Sequence, residues 1–100
     1  KMSVKIYSKD GCIYCDYSKD ALKEVGVEFS IVDMSNLPES EYNEIRDDLI
    51  KTTNQKTFPW IYIGEKFIGG YRELKNSIDT LKINDYLREA GIEKEIELDF

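Results

Sequence analysis

Cys12-Ile13-Tyr14-Cys15 is the stretch of this sequence best equipped for chemistry. It follows a short β-branched run and opens an apolar-periodic one, so it lies where a strand hands over to a helix. A thiolate at a helix N-terminus faces unpaired backbone N–H groups and the positive end of the helix dipole, and its pKa falls. Three residues on, along one helical turn, a second sulfur can reach the first. Cys12 is therefore expected to be the exposed attacking thiolate, and Cys15 the more buried resolving thiol. Lys9 adds positive field from just upstream. Asp10 and Asp16 oppose it, because a negative neighbour raises a thiol's pKa. Two ordinary buried cysteines would be the plainer reading, but a pair at a strand-to-helix junction is a specific placement. A mononuclear zinc site wants four ligands, and one CxxC in a chain without histidine supplies two. No metal site is expected within one chain; one shared between two chains stays open.

Two further segments bear on this pair. Thr57-Phe58-Pro59 comes directly before an apolar run. Proline cannot donate to a sheet ladder, so it belongs at a strand's first residue or edge. A cis proline there would leave the preceding backbone N–H and C=O free to pair with an extended peptide; a loop proline that merely starts a strand fits the local sequence equally well. In Gly69-Gly70-Tyr71-Arg72-Glu73-Leu74, two glycines let a backbone approach something closely. The helix start that follows offers N–H groups to an anion such as a carboxylate, and a plain turn into a helix is the alternative.

The chain has 100 residues, 14 Lys plus Arg against 20 Asp plus Glu, and a formal charge of −6. Such a length suits one domain, and burying roughly 60–65% of the unfolded surface suffices for one core without staples. The acidic balance argues against nucleic-acid binding, which needs a basic face. No apolar run approaches the roughly 18 residues of a membrane span. Val4 to Ser8 is too short to be the core of a signal peptide. Two cysteines are not the count of a disulfide-stapled secreted scaffold. A cytoplasmic thiol chemistry is the expectation. The absence of histidine removes Ser-His triads and imidazole acid–base work.

The elements that must hold these groups follow from period and punctuation. Val4 to Tyr7 predicts a strand. Tyr17, Ala21, Leu22 and Val25 recur at helical spacing, and Gly26 ends that helix. Val27 to Asp33 predicts a second strand and Ser35 to Pro38 a turn. Tyr42, Ile45 and Leu49 mark a second helix, with Glu39, Glu41 and Glu44 favouring its N-terminal end; Thr52 to Lys56 reads as polar loop. Trp60 to Ile63 and Phe67-Ile68 predict a hairpin about Gly64-Glu65-Lys66. Leu74, Ile78, Ile83, Tyr86, Leu87 and Ala90 predict one or two closing helices. The order β-α-β-α-β-β-α implies an α/β fold: a parallel crossover, an antiparallel pair, and a small mixed sheet flanked by helices. The domain is placed at residues 2–91, with Lys1 set aside. Residues 92–100 are expected to be a loosely packed acidic tail, with an edge strand through Ile96, Leu98 and Phe100 as the alternative.

Taken together, Lys9-Asp10-Gly11-Cys12-Ile13-Tyr14-Cys15, Thr57-Phe58-Pro59, Ile63-Gly64 and Phe67-Ile68-Gly69-Gly70 resemble a glutaredoxin of the dithiol, CxYC type, in the thioredoxin superfamily. The resemblance runs from about Val4 to Ala90. It implies a four-stranded thioredoxin-like sheet and a glutathione site beside Cys12. By that resemblance Lys9 meets the glycine carboxylate, helped by Arg46, and the backbone at Phe58, between Thr57 and Pro59, pairs with the tripeptide's cysteine. The segment after the glycine pair, Gly70 with Tyr71 and Arg72, holds the γ-glutamyl end, and Tyr14 flanks the sulfur.

The chain departs from the family pattern at three places. Ile13 replaces the usual proline and restores a backbone N–H. Phe58 makes a bulkier wall than the usual valine. Arg72 stands where an acidic or hydroxyl residue is common; it suits the γ-glutamyl carboxylate and repels its ammonium, so the backbone contacts carry over more safely than its side chain.

The activity implied is reduction of protein–glutathione mixed disulfides and protein disulfides, with glutathione as co-substrate, no tightly bound cofactor and no metal. The chain is expected to act as a monomer on glutathione and on glutathionylated or disulfide-bearing proteins, ribonucleotide reductase being a family-level candidate. No nucleic-acid or membrane partner is expected. Two other readings stay open: a thioredoxin-like reductant recharged by a flavoprotein reductase, and a dimer holding an iron–sulfur cluster through Cys12 and glutathione.

Overall fold

The computed structural model describes residues 3–98. Strand β1 (Val4–Ser8) leads into helix α1 (Ile13–Glu24), then β2 (Ser30–Asp33) and a short 3₁₀ turn (Met34–Asn36). Helix α2 (Glu39–Thr53), the β3 (Trp60–Ile63) and β4 (Lys66–Gly69) hairpin, and helices α3 (Tyr71–Asp79) and α4 (Lys82–Glu89) complete the order. One sheet runs β2-β1-β3-β4, with β1 parallel to β2 and antiparallel to β3. This is the four-stranded mixed sheet expected. Ile6, on β1, stands opposite both Ile31 and Ile61.

Alternation along β1 and β3 sends Val4, Ile6, Ile61 and Ile63 to one face, where they meet Leu22 of α1, Leu74 and Ile78 of α3, and Ile83 and Leu87 of α4. Cys15, Ser18 and Leu22 form the buried stripe of α1 at helical spacing. The opposite face carries Trp60, fully buried, whose indole N–H donates to Thr53 Oγ1 of α2 at 3.1 Å.

Several element ends differ from expectation for identifiable reasons. Strand β2 begins at Ser30 rather than Val27. The Val27 N–H is already used: it donates to Leu22 O at 2.9 Å, while Gly26 N–H donates to Lys23 O at 3.1 Å. That pair closes α1, with Gly26 at φ +76°, a left-handed turn glycine takes without steric cost. Helix α2 takes in Thr52 and Thr53, read from sequence as loop; their hydroxyls donate to the Asp48 and Leu49 carbonyls one turn earlier, and the helix ends only at Asn54, at φ +65°. Strand β4 takes Lys66 into the ladder opposite Ile63. The closing segment is two helices, broken at Thr80 and Leu81.

The largest correction concerns the chain after α4, which is neither loose nor a strand among the described residues. Ile92 N–H donates to Leu87 O at 2.9 Å and Gly91 N–H to Arg88 O at 3.0 Å, turning the chain back as at the end of α1. Ile96 is then only 3% exposed, and Ile92 and Leu98 pack on the same core. The Asn84 side chain pairs with both backbone groups of Ile96, accepting at 2.9 Å and donating at 3.1 Å. Apolar burial and this two-point clasp outweigh the acidic character of the segment. Phe100, the last residue of the predicted alternation, lies outside the described residues.

Candidate active site

The reactive pair sits where β1 runs out. Ser8 is buried at the end of the strand, and the loop that follows is tied down when Asp10 N–H donates to Ser35 Oγ at 2.8 Å. Cys12 is the N-cap of α1, in extended geometry at φ −105° and ψ 104°. Its sulfur accepts from the Cys15 N–H at 3.2 Å, and its carbonyl takes the first helical bond, from Asp16, also at 3.2 Å. The sulfur therefore occupies the place where a hydroxyl or carboxylate oxygen usually satisfies free N–H groups of a first turn. Cys12 is half-buried, whereas Cys15, on the inner stripe of α1, is 0% exposed. The two are joined as a disulfide, their Cα atoms 5.3 Å apart.

A groove of about 370 Å³ reaches Tyr14, the residue just before Cys15. Its floor is Thr57, Phe58 and Pro59, and its far wall is Gly70, Tyr71 and Arg72, with Tyr14 at the sulfur end. The loop and the helix start, separate in sequence, thus face each other as expected. The Phe58–Pro59 bond is cis. No hydrogen bond to the Phe58 N–H or C=O is formed among the described residues. Tyr14, Tyr17 and Tyr71 pack as a triangle, with ring centroids 5.6–6.0 Å apart.

Lys9 and Arg46 do not line the groove. Lys9 adjoins it indirectly, its ammonium 5.0 Å from the centre of the Phe58 ring, a cation–π distance. Arg46, half-buried on α2, stands one turn beyond Tyr42, whose ring stacks on Phe58 at 6.3 Å. Among the described residues no three His, Cys, Asp or Glu side chains gather as a metal site would require. No helix there is long and apolar enough to cross a membrane.

A family model for glutaredoxins matches residues 4–68. A glutaredoxin of Vernicia fordii is 33% identical over 92 residues, 92% of this chain and 86% of that protein. Glutaredoxin-C2 of Arabidopsis thaliana is 35% identical over 89 residues, 89% of this chain and 78% of that protein. This chain belongs to the glutaredoxin family. A solved buckwheat glutaredoxin–glutathione complex superposes with a TM-score of 0.80 at 28% identity, covering 90% of this chain and 80% of the other. A glutaredoxin is a thiol–disulfide oxidoreductase, and Cys12 with Cys15 makes this one of the dithiol type. The family match ends at Ile68, so the groove's far wall, Gly70 to Arg72, lies beyond it.

Three residues at this glutaredoxin's site escape sequence reading. Glu73 accepts from the Gly70 N–H at 2.8 Å and caps α3; an acid three residues into a helix was the available signal. Tyr17 looks like one more apolar position of α1, yet it is 44% exposed and packs on Tyr71. Gln55 gave no periodic signal at all. Its side-chain amide donates to Thr57 O and to Pro59 O, each at 2.8 Å, bracing the carbonyls on either side of Phe58.

Proposed function

We propose that the chain is a glutathione-dependent oxidoreductase that reduces protein–glutathione mixed disulfides through a Cys12 thiolate and protein disulfides through Cys12 and Cys15 together. The observation that carries this is the contrast between the sulfurs. Cys12, half-buried, caps α1 two residues before Tyr14 of the groove lining, while Cys15 is fully buried on the same helical turn. The glutathione-bound buckwheat relative supports the choice of thiol.

In this reading the free N–H groups of the first turn and the helix dipole favour the thiolate at Cys12. That thiolate attacks the glutathione sulfur of a mixed disulfide. The protein's sulfur leaves as thiolate and takes a proton, and Cys12 is left bonded to glutathione. A second glutathione thiolate then attacks the glutathione sulfur of that adduct. Oxidised glutathione departs and the Cys12 thiolate returns, so the step balances without a metal or other cofactor. With a protein disulfide, Cys15 attacks the Cys12 adduct instead and closes the Cys12–Cys15 bond, which two glutathiones reopen. Glutathione lies with its cysteine paired to the Phe58 backbone and its γ-glutamyl end at Gly70, Tyr71 and Arg72. Lys9 and Arg46 supply the positive field for its glycine carboxylate.

The test is turnover of a glutathionylated peptide with glutathione, glutathione reductase and NADPH. The parent and Cys15→Ser are expected to consume NADPH, and Cys12→Ser is not. Cys15→Ser should lose reduction of protein disulfides. Turnover by Cys12→Ser, or none by the parent with its thiols verified free, would overturn the mechanism.

A further inference from the structure

Gln55 lies at the α3 end of the groove, and its amide orientation is forced. Both of its close neighbours, Thr57 O and Pro59 O, are acceptors, so only the NH₂ end of the side chain can face them. Both hydrogens are then spent and point away from Oε1. That oxygen finds no donor among the described residues. It is not sealed off either, since no buried side-chain polar atom among them lacks a partner. Gln55 thus presents an uncommitted carbonyl oxygen from a residue that lines the groove. Its Nε2 is 3.7 Å from where a Cβ on Gly70 would stand, which sets the amide beside the wall formed by Tyr71 and Arg72.

A γ-glutamyl group carries a carboxylate and an ammonium on one carbon. Arg72 suits the first and repels the second. Glu73 lines the groove too; its Oε1 is engaged by the Gly70 N–H at 2.8 Å, which leaves Oε2 as the competing acceptor that the test must separate from Gln55. An ammonium has three hydrogens to place and needs acceptors. We propose that Gln55 is a ligand-binding residue whose Oε1 accepts from the γ-glutamyl ammonium while its Nε2 holds the Thr57–Pro59 edge. The inference rests on the glutathione reading above. It assigns one side chain to two parts of the tripeptide: directly to the ammonium, and through the braced loop to the central cysteine.

The test compares two peptide mixed disulfides, one carrying glutathione and the other glutaryl-cysteinyl-glycine, identical except that the ammonium is missing. In the parent, kcat/KM should fall about tenfold for the des-amino substrate, as for loss of a charged hydrogen bond in an open site. In Gln55→Met, which keeps the length and drops the amide, the two substrates should become equivalent, whatever the loosened loop costs both. Gln55→Glu, an independent variant, should widen the preference by presenting a full negative charge. Glu73→Gln, at a residue of the site, should slow both substrates and still keep a preference for the one with the ammonium. A parent indifferent to the ammonium overturns the proposal without any variant. So does a Gln55→Met that slows both substrates equally and keeps their ratio, or a Glu73→Gln that alone abolishes it. Turnover of neither substrate by the parent is a different result: it removes the glutathione reading itself.

Discussion

Cys12 and Cys15 share one turn of helix but differ in access. Cys12 is half-buried at the cap, and Cys15 is 0% exposed on the core side. Limited iodoacetamide treatment of the reduced protein, mapped by mass spectrometry, should therefore modify Cys12 and leave Cys15 free until the chain is denatured. Equal labelling of both would contradict the division of labour. This contrast was legible in the sequence, because three residues on from a cap lies the inner stripe of an amphipathic helix. The bracing of the loop was not. Gln55 donates to carbonyls only two and four positions ahead, yet nothing in its local composition says that the chain between them turns sharply enough to bring both within reach. Trp60 was equally silent: the partner of its buried indole N–H is Thr53, seven residues away on another element.

At the scale of elements, α1 begins on a sulfur where most helices begin on oxygen. Serine at position 12 can still cap; alanine cannot. Cys12→Ser and Cys12→Ala both lack the disulfide and the nucleophile, so a difference in their stability isolates the cap. Urea unfolding should find the alanine variant weaker by about 1 kcal/mol. Equal stabilities would mean that the N–H groups of the first turn are satisfied without residue 12. Element types and order were legible here because period and punctuation agreed along most of the chain. Boundaries slipped where a side chain or a turn claimed a backbone group, as Val27 did when its N–H closed α1 and shortened β2.

At the scale of the molecule, the core draws on β1, α1, β3, α3 and α4 and also on the segment after α4. Ile96 is 3% exposed among β1, β3, α3 and α4 side chains. Ile96→Ala should cost about 2–5 kcal/mol in urea unfolding, the range for truncating a buried isoleucine. A cost under about 0.5 kcal/mol, normal for surface sites, would return the segment to a loose tail. Its packing was hidden from sequence because alternating acids and apolar residues suit a solvated end as well as a docked one. What decides between them is the Asn84 clasp, formed 12 residues away.

That returning segment also has a practical geometry. It passes the C-terminal end of α1, where the Lys94 ammonium nitrogen comes within 3.2 Å of a Cβ placed on Gly26. The reactive sulfur is at the other end of the same 12-residue helix, roughly 18 Å away at 1.5 Å per residue. The molecule thus has a handle and a working end on opposite tips of one rigid rod. Anchored to a bead or an electrode through position 94, it would hold Cys12 outward, free to meet disulfides arriving from solution.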